Sequence, residues 1–397
     1  MKILFVSDTY FPHVNGVYYF VRRLGVLLQE KGHQVAVLVP SENLHDTQKI
    51  IDGLAVYGVP SLPVGIYPEV RFPIAFNLRA TVKRLIDELN PDVIHIQDHF
   101  LLAKVVVDVS KDMAIPIIGT NHFMPENVTA LLPFNTFNRR LEKWMWSGFV
   151  KVFDRLALVT TPSEMAARLI HSKLGVDVIP VSNGIDLERF NPVGDPTALR
   201  AKYAIPSKPI LLYVGRLDPE KQLDDVLRAV ALARRNVDFC FVLVGKGTNR
   251  DSLERLSKEL DIDQQVLFAG FVPDEELPSF YRMSRCFIMA STAELQSIST
   301  MEAMASGLPV IAANAGALDE LVHNGENGYL FAPGDIKTMS RCIEQVIQNK
   351  SLAQMMGHTS LQLIRRHAIS QTVQRFETIY EKLRKEYDKW VSHVIYP

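Results

Sequence analysis

Between Ala290 and Ala312 the chain reads as a strand end, a polar turn, a helix, a Gly-Pro break and the start of another strand. Cys286–Ala290 is a short apolar run of the kind found in buried parallel strands. Small polar residues from Ser291 onward break it. Ala303, Met304 and Ala305 favour helix, and Gly307 and Pro309 end it. The turn before that helix therefore sits at the carboxyl end of a strand, where ligands bind in open parallel sheets. The helix start offers amides without intrahelical partners and a partial positive charge, both suited to phosphate. Glu294 and Glu302 flank this start, eight residues apart. A carboxylate can accept hydrogen bonds from a pair of sugar hydroxyls, so the stretch suits the phosphates and hydroxyls of a sugar nucleotide. A plainer reading stands beside this one. Ser299-x-x-Glu302 also fits a capping box, in which Glu302 only reaches back to a backbone amide, and Glu294 also fits a solvated loop.

Glu-x7-Glu followed by Ala-Met-Ala-x-Gly-x-Pro-Val-Ile-Ala resembles the signature of retaining glycosyltransferases of family 4. The resemblance implies the GT-B fold, with two Rossmann-like α/β domains whose mostly parallel sheets face across a cleft. It implies that Glu302 holds the ribose hydroxyls of the donor nucleotide and that Glu294 contacts the transferring sugar. Gln296, Ser297 and Ile298, at the helix start, are implied donor-binding residues. Many members continue the first Glu with Gly-Phe-Gly, whereas this chain has Glu294-Leu-Gln-Ser297. That variant is similar to the branch making glycolipids, such as diacylglycerol glucosyltransferases.

The 397 residues suit two domains, and a net charge of -1 argues against a nucleic-acid surface. Cys240, Cys286 and Cys342 lie among apolar neighbours with no CxxC pair, which fits reduced core residues in a cytoplasmic protein. The first residues are too short an apolar run for a signal peptide. No stretch approaches the roughly 18 to 20 apolar residues of a membrane span. The expectation is a cytoplasmic protein that is either fully soluble or peripheral on the membrane face.

Lys2–Asp8, a loop ending at Gly16, a helix over Val17–Glu30 and a strand over Gln34–Val39 open a Rossmann-like unit without the dinucleotide glycines. The family usually carries a glycine pair at Gly16, which lets the backbone approach the donor. Here only Gly16 stands, and it also fits an ordinary turn. Strands are predicted over Leu54–Val59, Asp92–Gln97, Pro116–Thr120, Leu156–Thr161 and Val176–Val181, with helices between them. His122 ends one of these segments. The resemblance implies that it faces the donor sugar, giving catalytic roles to His122 and Glu294. Asp98 is a candidate acceptor contact. His95 and His99 are spaced i, i+4 but on a strand and its exit, so no metal site follows.

Phe134–Arg155 interleaves aromatic and basic residues. Phe137, Leu141, Trp144, Gly148 and Val152 fall on one helical face, which Trp146, Val150 and Phe153 widen. This suits either a core helix or an anionic membrane surface. With the loop Leu62–Phe76, the helix bearing Trp144 and Trp146 is a candidate lipid-acceptor entrance.

A second unit starts at Ile210–Gly215. Gly215-Arg-Leu-Asp-Pro-Glu-Lys221 resembles the family's Gly-Arg-Leu-x-x-x-Lys, implying that Arg216 and Lys221 hold the diphosphate. Two cations at a helix start oppose its dipole unless an anion lies between them. Otherwise they are solvated charges. Gly245-Lys-Gly247 is a turn able to pass near the nucleotide, and the resemblance implies that backbone near Val272 holds the base. Asp261-Ile-Asp263 leads into a strand and is read as chance; no catalytic metal is expected. The expected domains are 1–190 for the acceptor, 191–368 for the sugar nucleotide, and a helix over 369–397 crossing back to the first. The expected reaction is hexose transfer, retaining configuration, from a nucleotide sugar such as UDP-glucose to a lipid such as diacylglycerol. A soluble sugar or polysaccharide acceptor, or a sugar-nucleotide epimerase of the same fold, remains the alternative.

Overall fold

Lys2–Val6 forms a strand buried from Ile3 onward, as its unbroken apolar run requires of a parallel sheet covered on both faces. In the computed structural model it lies at the centre of eight strands. The structure describes residues 1–10, 16–64, 67–74, 76–111, 113, 115–122, 124 and 135–395, with backbone alone at 64, 67–70, 135–139 and 388–395.

The chain divides into two compact units. The first comprises the described residues of 1–125, 134–182 and 370–397, and the second those of 183–369. In the first, the elements run β1 (Lys2–Val6), α1 (Gly16–Glu30), β2 (Gln34–Pro40), β3 (Thr47–Ile51), β4 (Leu54–Val59), β5 (Ser61–Val64), β6 (Tyr67–Pro73), α2 (Leu78–Leu89), β7 (Val93–Ile96), α3 (Leu101–Ser110), β8 (Ile117–Thr120), α4 (Asn135–Phe153), β9 (Leu158–Thr161), α5 (Glu164–His171) and β10 (Val178–Pro180). The sheet order is β10-β9-β8-β7-β1-β2-β4-β3, with β3 alone antiparallel. The strand order reverses between β1 and β7, so a crevice opens at their carboxyl ends.

Two expectations change here. The segment Leu62–Phe76, read as a loop, contains a two-stranded antiparallel hairpin, β5–β6, in which Leu62 faces Phe72. Its prolines are tolerated because both strands of a two-stranded ribbon are edges. On α4 the buried face is Phe149, Val152 and Phe153, with Trp146 and Val150 packed beside it. Trp144 stands away from that face at 74% exposure, so it does not belong to the core stripe; the side chain of Phe137 lies outside the described residues.

The second unit runs α6 (Thr197–Lys202), β11 (Ile210–Val214), a short 3-10 turn (Pro219–Lys221), α7 (Leu223–Ala233), β12 (Cys240–Val244), α8 (Arg250–Glu259), β13 (Val266–Gly270), α9 (Leu277–Arg282), β14 (Cys286–Met289), α10 (Ile298–Ala305), β15 (Val310–Ala313), β16 (Gly328–Phe331), α11 (Ile336–Gln348) and α12 (Lys350–Ile364). All six strands are parallel, in the order β13-β12-β11-β14-β15-β16. The order reverses between β11 and β14. The chain enters this unit at Asn183, ahead of the expected boundary near 190. The cause is that Ile185 is bonded there, its amide donating to His367 O (2.8 Å) and its carbonyl accepting from Ile369 N (2.9 Å).

The last helix, α13 (Ile369–Ile395), returns to the first unit. Val373, Phe376, Tyr380 and Leu383 are buried along one stripe, and each contributes about 1.5–3 kcal/mol by leaving water. Glu377 pairs with Lys31 at 2.6 Å and His33 at 2.9 Å, and Arg384 pairs with Asp92. Beneath it runs a buried relay. Tyr380 Oη lies 2.7 Å from His95 Nδ1, His95 Nε2 lies 2.6 Å from Thr120 Oγ1, and Thr120 Oγ1 lies 2.6 Å from Thr160 Oγ1. Thr160 donates to Gly119 O at 3.4 Å, and a carbonyl only accepts. The donors therefore run from Tyr380 through His95 and Thr120 to Thr160, with His95 neutral. Burial also holds His95 well below the usual histidine range. Tyr380→Phe strands His95 Nδ1 without a donor and is expected to cost about 1–3 kcal/mol in urea unfolding. An unchanged unfolding midpoint would show that the relay does not hold the helix.

Candidate active site

At the reversal of the second sheet, β11 and β14 deliver the two loops that the sequence singled out. After β14, Ser291–Ser297 leads into α10. Ser297 is the N-cap, its Oγ accepting from Thr300 N at 3.3 Å and from Thr300 Oγ1 at 2.8 Å. The cap is therefore Ser297 rather than Ser299, and the capping-box reading of Glu302 fails. Glu302 is buried one turn further along, where its Oε2 accepts from Tyr281 Oη at 2.7 Å. Burial, with the Glu302 charge second, pushes the Tyr281 phenol well up. Tyr281 thus stays protonated and fixes one carboxylate oxygen of Glu302.

Gln296 Oε1 accepts from Asn183 N at 2.8 Å, and Ile298 opens the helix half-buried. The first-turn amides of α10 lack intrahelical partners and point their partial positive charge into the same crevice.

After β11, Lys221 Nζ lies 2.7 Å from Glu294 Oε1, with side-chain exposures of 14% and 13%. Neither is the solvated charge that the plainer readings allowed. Arg216 is 62% exposed, and its guanidinium spans two buried carboxylates, Asp218 Oδ2 at 2.7 Å and Glu220 Oε1 at 2.6 Å. The other oxygen of Asp218 accepts from Thr248 N at 2.9 Å and Thr248 Oγ1 at 3.0 Å. Each cation is thus oriented by carboxylates at the carboxyl end of β11.

Three supports were not foreseen. Tyr213 Oη donates to Arg216 O at 2.7 Å. Ala317 N donates to Glu294 O at 2.9 Å. Gly316 (φ 59) passes so close to that carbonyl that a Cβ would lie 2.7 Å from it. The only sequence signal for this was the Ala-Gly-Ala turn after β15. Gly245 has a local reason of its own, since a Cβ there would lie 1.9 Å from Gly215 O. Val272 is buried at the end of β13, beside exposed Phe271, whose ring carries Lys246 Nζ 5.5 Å from its centroid. Asp261 is engaged by Arg234 at 2.7 Å.

In the first unit, the reversal between β1 and β7 brings Asp8 and Asp98 together. Asp8 N donates to Asp98 Oδ2 at 2.6 Å. Burial and the Asp98 charge raise the Asp8 carboxyl well above the usual range. His122, at the end of β8, lies with Nε2 3.1 Å from Gln97 Oε1, and burial lowers it to about 4. Gly16 opens α1 at an exposed position. Trp146 packs edge-on against Phe149 (5.5 Å between centroids), with Lys173 Nζ 4.5 Å from its ring centroid. Trp144 does not join it. Among the described residues no helix is long and apolar enough to cross a membrane.

Comparison with known proteins agrees with this geometry. Residues 14–189 match the Glycosyltransferase Family 4 model and residues 195–362 the model of Glycosyl transferases group 1. The alpha-monoglucosyldiacylglycerol synthase of Streptococcus pneumoniae is 28% identical over 339 residues, covering 83% of this chain and 75% of that protein. The sulfoquinovosyl transferase SQD2 of Arabidopsis thaliana is 27% identical over 370 residues, covering 89% and 68%. The fold is that of sucrose-phosphate synthase from Thermosynechococcus elongatus, with a TM-score of 0.79, 19% identity, and coverage of 96% of this chain and 99% of that one. Enzymes of this family take a nucleotide-sugar substrate and work without a metal cofactor. With a family-4 domain followed by a group-1 domain across nearly its whole length, and the crevice residues set at both sheet reversals, the chain is a glycosyltransferase of family 4 with the GT-B fold.

Proposed function

We propose that the protein transfers glucose from UDP-glucose to diacylglycerol at a membrane surface, with retention, giving an alpha-glycoside. The observation that carries the donor side is the contact of Lys221 with Glu294 across the reversal of the second sheet. It brings a cation suited to phosphate and a carboxylate suited to hydroxyls together, next to the start of α10.

In this reading Arg216, Lys221 and the amides near Gln296, Ser297 and Ile298 hold the diphosphate. Glu302 takes the ribose hydroxyls, backbone at Val272 takes the base, and Gly16 lets the chain approach the phosphates. Glu294 and His122 face the sugar. The bond from the anomeric carbon to the diphosphate oxygen breaks as the acceptor oxygen bonds on the same face, and the leaving phosphate takes the acceptor proton. Positive groups aimed at that developing negative charge are usually the largest catalytic contribution.

Three observations favour a lipid acceptor. The stretch after Glu294 is the Leu-Gln-Ser variant. A relative matching most of the chain is named for monoglucosyldiacylglycerol synthesis. Among the described residues most of the large exposed apolar side chains are on the first unit, including Leu62, Phe72, Phe76 and Trp144, which suits a peripheral membrane contact. Asp98 then meets the acceptor hydroxyl, and Trp144, more than the packed Trp146, meets the lipid. The reading predicts that UDP-glucose and diacylglycerol vesicles yield a glycolipid whose anomeric proton has the alpha coupling in NMR. A beta product, or glucose transfer only to soluble acceptors, overturns it.

A further inference from the structure

We propose that Gln97 is a positioning residue that fixes His122 as the neutral Nε2–H tautomer, so that Nδ1 faces the donor sugar as an acceptor and selects a free hydroxyl there. The sugar-facing half of this rests on the reading of His122 given above; the tautomer half does not.

Gln97 is buried at the carboxyl end of β7, and its backbone is fixed by Gln97 N donating to Val6 O at 2.9 Å. One end of its side chain lies 3.3 Å from His95 O. A backbone carbonyl only accepts, so the group there is the amide NH2. The other end, Oε1, therefore faces His122 Nε2 at 3.1 Å. An amide oxygen only accepts, so His122 Nε2 carries the proton. His95 O is itself held in place, because β7 is paired on both sides, with β1 and β8. The orientation of Gln97 is thus inherited from the strand.

A second proton on the ring is disfavoured. Burial lowers His122 to about 4, and His95, whose own ring lies at the centre of the relay, is close enough for mutual repulsion if both were charged. The ring of Phe20 packs against His122 at 4.8 Å between centroids and limits its rotation. Near neutral pH the imidazole has one N–H, already committed to Gln97, and one lone pair, at Nδ1. His122 can therefore not donate to the sugar. It can only accept, and the matching ligand group is a hydroxyl that donates.

The test uses the full chain labelled with 15N-histidine, the His122 resonances being assigned by their loss in His122→Asn. The expected result is protonated Nε2 with pyridine-like Nδ1. In Gln97→Met, which keeps the volume but removes both polar contacts, the two tautomers should mix. With UDP-glucose and diacylglycerol vesicles, the same variant should lose about tenfold in kcat with the KM for diacylglycerol unchanged. A proton on Nδ1 in the wild type, or an unaltered tautomer in Gln97→Met, overturns the positioning role. A shifted tautomer with unchanged turnover leaves Gln97 as the fixture but removes His122 from the sugar, and with it the acceptor role of Nδ1. A comparable thermal midpoint for Gln97→Met is required, so that lost rate is not lost fold.

Discussion

Lys221→Ala is expected to lower kcat a hundredfold or more and to destabilise the second unit by about 3 kcal/mol. The two effects have separate causes. Removing one positive group from the site of developing charge costs on the order of 3 kcal/mol in the transition state. Removing one partner of a mostly buried ion pair leaves the other uncompensated, and Glu294 would keep its carboxylate 13% exposed with no cation at 2.7 Å. A double-mutant cycle separates them. Lys221→Ala with Glu294→Ala should recover most of the stability, because the stranded charge is gone, and none of the rate. The measurement is a pair of urea unfolding curves alongside kcat for each variant. If the double variant regains turnover along with stability, Lys221 serves the fold and not the phosphate.

Acid should unfold the first unit before the second. Burial lowers His95 well below the usual range, His122 to about 4, and His99 as well, all three in the first unit, whereas His367, also lowered to about 4, is in the second. An unfolded histidine titrates near 6.5. Below that pH the unfolded chain binds protons that the folded chain refuses, so stability is present above 6.5 and lost as pH falls toward 4. Each such histidine costs about 1.4 kcal/mol per pH unit in that window. Where all three titrate, the first unit therefore loses roughly 4 kcal/mol per pH unit and the second about a third of that. Asp8 opposes the trend, since its raised carboxyl regains stability as pH falls, but it is one group against three. The three tryptophans, Trp144, Trp146 and Trp390, all belong to the first unit. Tryptophan fluorescence at pH 5 should thus report a lower midpoint than far-ultraviolet circular dichroism, and the gap should close at pH 7. Coincident midpoints at both pH values would contradict the assignment.

The parts legible in the sequence were those written in local pattern. Strand ends, Gly-Pro breaks and the spacing of Glu294 and Glu302 are short-range features, and they placed Arg216, Lys221 and both glutamates at carboxyl ends of strands. What the pattern could not carry was lateral strand order. Lys221 and Glu294 are 73 residues apart and touch only because β14 pairs with β11. The same holds for Asp8 and Asp98 across β1 and β7. Tyr213 and Tyr281 were hidden for another reason, since a buried tyrosine that anchors a site has the same apolar surroundings as one that fills a core. The β5–β6 hairpin was masked by its prolines, which argue against a central strand but not against an edge. On α4 the apolar face read from the sequence was too wide to show which part of it is buried; Phe149, Val152 and Phe153 enter the core and Trp144 does not.

The most direct test is the release of UDP from UDP-glucose, with and without diacylglycerol vesicles, by the wild type and by Glu302→Gln. The Gln variant can still accept from Tyr281, which protects the fold, but it loses the carboxylate charge that the proposed function assigns to the ribose. The account predicts release that requires the lipid and falls about a hundredfold or more in the variant. Release that ignores the lipid, or that survives in Glu302→Gln, would contradict it.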